Sequence, residues 1–181
     1  MKKLTVILGI IAGTAISAQS SSLVINNYSA YDAEGRFMTV GSMGLGSSQP
    51  YMYALPNPPY SVYTIPAGGF TKYDKFDNTG IPNPIPIPGW NYIDPLNSAN
   101  NGNYPYNHPM ITAVTAIDEW MGFAFRLTDS TGYTFDTFEV GDPILSGSFL
   151  SSTQTGPNTL VTADWFTITT PGGQVTYFQI Y

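Results

Sequence analysis

Residues 121–128 read Met-Gly-Phe-Ala-Phe-Arg-Leu-Thr, and their alternation decides the fold class. In an extended chain Met121, Phe123, Phe125 and Leu127 point one way while Gly122, Ala124, Arg126 and Thr128 point the other, which predicts a strand with one face in a core. Asp129-Ser130-Thr131-Gly132 then supplies turn formers. Residues 133–140 return with Tyr133, Phe135, Phe138 and Val140 apolar, and the change of face between Phe135 and Phe138 predicts a bulge. The two segments form a β-hairpin.

Two more hairpins are expected outward from this one. Residues 159–169 and 174–181 flank Thr170-Pro171-Gly172-Gly173, and residues 23–31 and 36–43 flank Asp32-Ala33-Glu34-Gly35. Further strands are expected at 60–65, 70–76, 110–118 and 144–150. The segment 110–118 is long enough for a helix, but Ile111, Thr112, Val114, Thr115 and Ile117 are β-branched and favour a strand. Roughly ten strands suffice for an all-β, antiparallel two-sheet sandwich, either jelly-roll or immunoglobulin-like, whose strand order the pattern does not give. Phe123, Phe125, Leu127, Phe135 and Trp165 are assigned to its core, with Trp120 beside them.

The middle of the chain differs in kind. Twelve of the 15 prolines lie between Pro50 and Pro109, in the cluster Pro56-Asn57-Pro58-Pro59 and the alternating Pro82, Pro84, Pro86 and Pro88. Proline fixes φ and donates no hydrogen bond, so residues 81–89 are expected to form an extended ribbon over a sheet rather than within one. Ile81, Ile85 and Ile87 argue against a free linker. The whole proline-rich excursion covers about residues 77–109, inside a single domain of residues 19–181.

Residues 1–18 have the order of a secretory signal peptide: Lys2 and Lys3, the apolar run 4–11, then small residues up to Ala18. The apolar part is too short to cross a bilayer, which takes roughly 20 residues. The expected mature chain is therefore secreted or held at the cell surface, with no integral span. It contains no cysteine, so packing alone must hold the fold in an oxidising compartment. Loss of Lys2 and Lys3 takes the formal charge from −6 to −8, which disfavours nucleic acid and anionic membranes as partners. Charged residues make up only 10% of the chain while aromatics reach 14%, a balance suited to binding surfaces.

The catalytic inventory is thin. The single histidine, His108, has no G-x-S-x-G elbow to serve, and one His without Cys cannot assemble the usual zinc sets. No metal or other cofactor is expected. Gly41-Ser42-Met43-Gly44-Leu45-Gly46 lacks the lysine of a phosphate-binding loop. The carboxylate pairs Asp74 with Asp77, Asp118 with Glu119 and Asp136 with Glu139 are read as solvated strand ends, because no motif supports acid-base work. Asp94, Asn97, Asn100, Asn101 and Asn103 offer oxygen ligands, but not at the spacing of a calcium loop, and Asn27-Tyr28-Ser29 is a short match to a glycosylation sequon. An outer-membrane barrel ending on 175–181 would need sustained alternation over about 9 to 11 residues, which the prolines break.

The segment from Gly89 to Pro109 is what survives this filter. Tyr and Trp give large, rigid contact area with a polar tip, and long loops in compact domains are often functional. Trp90, Tyr92, Asp94, Tyr104, Tyr106 and His108 are the expected ligand-binding residues. The chain is accordingly expected to be an exported, non-catalytic binding or surface-assembly protein that acts through exposed aromatic loops and strand edges on a protein partner. The alternative is a carbohydrate-binding module in which these aromatics stack on a surface glycan.

Overall fold

A computed structural model describes residues 22–56, 62–74, 76, 85–115, 117–171 and 173–181. The expected leader 1–18, Asn57-Pro58-Pro59, Asp77 and residues 81–84 of the proline ribbon lie outside them.

The strands are β1 (Ser22–Asn27), β2 (Asp32–Gly41), β3 (Tyr51–Leu55), β4 (Tyr63–Ile65), β5 (Phe70–Tyr73), β6 (Gly89–Ile93), β7 (Gly102–Pro105), β8 (Asp118–Thr128), β9 (Thr134–Gly141), β10 (Thr153–Thr155), β11 (Thr162–Thr170) and β12 (Gly173–Ile180). They form two packed sheets. One runs β10-β11-β12-β1-β5; the other runs β7-β6-β3-β2-β8-β9, with β4 also on β2. This is the expected β-sandwich, and all its named ladders are antiparallel except β1 with β12, which is parallel.

Both the β8-β9 and β11-β12 hairpins form as the sequence predicts. So does the bulge: Leu127 faces Asp136 while Thr128 faces Thr134, leaving Phe135 as the extra residue. The bulge turns Asp136 toward the core side and leaves Phe135 half-buried, where it packs against Tyr31 and Tyr133 rather than in the core. A second bulge, between Met38 and Thr39 of β2, inserts Met121 into β8. Trp120 and Phe123 both face the main core as a result, and Met121 faces out into a small second core with Met38, Val40, Leu145 and Leu150.

The expected N-terminal hairpin does not exist. Strands β1 and β2 lie in different sheets, and Asp32-Ala33-Glu34-Gly35 is part of β2 itself. The turn is at 28–31 and is tied by the buried Asn27, whose amide donates to the carbonyls of Tyr31, Ile65 and Pro66 at 2.8, 3.1 and 3.1 Å. The Ser29 hydroxyl donates to Asn27 Oδ1 at 2.7 Å. An amide so enclosed is not accessible to glycosylation in the folded state.

Two expected strands are also replaced. Residues Pro109–Val114 form a short helix, α1, because proline at its start is preorganised for a first turn and His108 caps it, Nδ1 accepting from the Met110 N–H at 3.3 Å. Ile111 and Val114 then reach the core at helical spacing. Residues 144–150 form turns that cover the outer face of the larger sheet. The Asp142 carboxylate accepts from Ile144 and Leu145 N–H at 2.7 and 3.0 Å, and Leu145 and Leu150 fold down while Ile144 stays 87% exposed.

Aromatic contact dominates the main core. Phe125 lies stacked between Phe123 and Phe138, with ring centroids at 5.1 and 4.7 Å and planes within 12° and 6°. Trp165 and Phe178 bring the smaller sheet onto this row. Burial of such rings is the main favourable term for a chain without disulfides.

Candidate functional site

The six residues singled out from sequence do not make an exposed platform. Strand β6 pairs with β3, and its alternation points Trp90 and Tyr92 inward and Asn91 and Ile93 outward. Trp90 has no exposed surface, meets Phe76 edge-on at 5.7 Å, and donates from Nε1 to the Phe76 carbonyl at 3.0 Å. Tyr92 is buried and meets Tyr104 edge-on at 74°, so the rings are not coplanar. Burial raises the Tyr92 hydroxyl pKa, with Asp94, Asp118 and Tyr104 adding to the effect.

The other four stand at the surface in roles that hold the chain. Tyr104 is half-buried, donates to the Asn100 carbonyl at 2.9 Å, and stacks on His108 at 4.4 Å. Tyr106 packs against the core. Asp94 accepts from Asn100 Nδ2 at 2.8 Å and from Leu96 and Asn97 N–H at 2.9 and 3.1 Å, which keeps its carboxyl below the usual range. This is the hydrogen bonding of an Asp-initiated turn. Among the described residues no three His, Cys, Asp or Glu are grouped to hold a metal.

The carboxylate pairs diverge as well. Asp118 and Glu119 are adjacent on β8 and so face opposite ways. Asp136 faces inward, where it accepts from the N–H groups of Asn158 and Thr159 and from both of their side chains at 2.7 to 3.2 Å, whereas Glu139 faces outward. Asp118 is only 1% exposed; the Thr39 hydroxyl donates to Oδ2 at 3.2 Å, and Oδ1 has no hydrogen-bond partner among the described residues. Burial pushes its carboxyl up to about 7.

An open groove of about 860 Å³ lies elsewhere, across the outer face of the larger sheet. The ladders fix its layout. One row across the strands is Glu34, Arg126 and Thr137; the next is Arg36, Ala124 and Glu139; a third is Asn91, Tyr53 and Met38. Ala124, the small member of the middle row, forms the floor, with Arg36 and Glu139 standing two strand spacings apart, roughly 10 Å. Arg126 is fixed over Glu34 by two bonds to Oε2, from Nε at 3.0 Å and a terminal nitrogen at 2.8 Å. Asn91 donates to Asn103 Oδ1 at 2.7 Å.

Gln154 closes the far side by using its amide as a strand would. Oε1 accepts from Glu139 N–H at 2.9 Å and Nε2 donates to the Thr137 carbonyl at 3.2 Å, covering the free edge of β9.

No family model, curated protein or solved structure matches this chain.

The groove residues were missed because each stands singly in the sequence, on the polar side of an alternating strand. Tyr51 and Tyr53 around Met52, and Asn91 between Trp90 and Tyr92, were the available signal. Only the strand order brings them together.

Proposed function

We propose that the chain is an exported, non-catalytic carbohydrate-binding module whose ligand lies in the groove across the larger sheet. The observation that carries this reading is the set of side chains on one rigid face: the half-buried ring of Tyr53, the amide of Asn91, and the charged pairs of β2, β8 and β9 around a small floor at Ala124. A sugar ring presents an apolar face to an aromatic and hydroxyls to polar groups, so a ring beside amides and guanidinium groups suits it. Strand-borne positions also lose little entropy on binding. No carboxylate pair converges in the groove without a cation between its members: Glu34 is bound to Arg126, and Glu139 faces Arg36 across the floor. This favours binding without turnover. The exported location rests on residues 1–18.

The test is a glycan array followed by calorimetry. Tyr53→Ala and Asn91→Ala are each expected to weaken binding by about 1 to 3 kcal/mol, as interface anchors do, with the melting temperature nearly unchanged. A folded protein that binds no glycan would overturn the reading, as would variants that bind as tightly as the parent.

A further inference from the structure

We propose that the ligand of this groove is an acidic saccharide, with a uronate carboxylate seated on Arg36. This inference rests on the reading of the groove as a carbohydrate site.

Three side-chain cations stand among the described residues. Lys72 pairs with Asp74 at 2.6 Å and Arg126 pairs with Glu34 at 2.8 Å. Arg36 has no ion pair among the described residues, is exposed, and projects from the centre of the larger sheet into the groove. Glu34, its neighbour two residues back on the same face of β2, is already held by Arg126 and does not compete for it. The remaining groove carboxylate is Glu139, across the Ala124 floor.

A planar guanidinium presents paired donors that match a carboxylate bidentately, a geometry ammonium groups and amides lack. Elsewhere the chain is acidic, with a formal charge of −6. At physiological ionic strength charges beyond about 8 Å are largely screened, so the local cation and not the net charge governs a carboxylate in the groove. The Asn91, Tyr53 and Met38 row lies one pleat repeat away, roughly 7 Å. An adjoining ring of the same ligand would meet the Tyr53 face and the Asn91 Oδ1 acceptor there.

The experiment compares oligogalacturonides with their methyl esters by calorimetry in 0.15 M salt. The two probes share ring and hydroxyls and differ at the carboxyl, which is anionic in one and a neutral methyl ester in the other. The acid is expected to bind at least tenfold more tightly, the scale of a charge-assisted bond. Arg36→Gln should abolish that ratio with an unchanged melting temperature. Equal binding of acid and ester, or an array in which only neutral glycans bind, would overturn the acidic-ligand inference and leave the carbohydrate reading standing. No binding to any glycan would overturn both. A preference for acid that survives in Arg36→Gln would locate the carboxylate elsewhere and overturn the assignment to Arg36.

Discussion

Replacing Asp118 with asparagine should make the protein more stable at alkaline pH, and by a large amount. The carboxyl is buried, has one oxygen without a hydrogen-bond partner among the described residues, and is moved from its ordinary 3.8 up to about 7 because burial disfavours the charge. A group whose folded pKa is raised stabilises the fold while it is protonated. That contribution is complete below about 4, declines as pH rises, and is gone above about 7. Each tenfold change in proton affinity is worth about 1.36 kcal/mol, so the folded protein should lose on the order of 4 kcal/mol across that window. Asparagine keeps an oxygen for the Thr39 hydroxyl and carries no charge. Denaturant titrations of both proteins from pH 4 to 8.5 should therefore give nearly equal stabilities at pH 4 and a widening gap up to pH 8, with the variant ahead. Glu119, raised by burial and by Asp142, shifts both proteins alike and cancels in the difference. A parallel pair of curves, or a variant less stable at pH 8, would refute the reasoning.

Phe125→Ala should destabilise by about 3 to 5 kcal/mol, since its ring is stacked between Phe123 and Phe138, and chemical denaturation would measure it. Trp90→Ala should fall in the same range and lower the melting temperature sharply, because this ring belongs to the core. Gly35→Ala should destabilise by about 1 to 3 kcal/mol or more: a Cβ there would stand 2.6 Å from Phe125 Cβ on the neighbouring strand and closer still to the Ala124 carbonyl. Asp136 is subject to burial, which raises its pKa, but the bonds from Thr159 and Asn158 prevail and hold it below the usual range. Stability that it contributes should persist above about pH 4 and be lost as pH falls below it, and Asp136→Ala should flatten that acid limb in the same titrations.

Alternation alone made the sandwich legible, because Phe123, Phe125 and Leu127 must share a face in any extended chain. It failed where a single residue shifted register. Met121 changes sides at a bulge whose other half lies on β2, about eighty positions earlier in the chain, and nothing within residues 121–128 marks it. At 109–114 local capping by His108 and proline overrode β-branched preference over one short turn. The aromatic loop was mistaken for a surface because richness in Trp and Tyr does not say which face they take. Strand pairing of β6 with β3 decides that, and pairing partners are invisible in one sequence.

The parallel ladder joins Ser22 to Val175 and continues to Asn27 with Ile180, so two segments more than 150 residues apart close on each other. Strand β12 sits third of five in its sheet, and β1 has only β5 on its other side. Loop closure over so long a span precedes any reward from the contacts it makes, which slows folding. The smaller sheet is in effect a lock that only the last strand can turn. Until residues 173–180 have been made and have arrived, β1 holds no more than a four-residue partner in β5, and nothing joins that pair to β10 and β11. A chain interrupted before β12 should therefore be not a weaker copy of the protein but an unfinished one, open along its core and prone to association through unpaired strands.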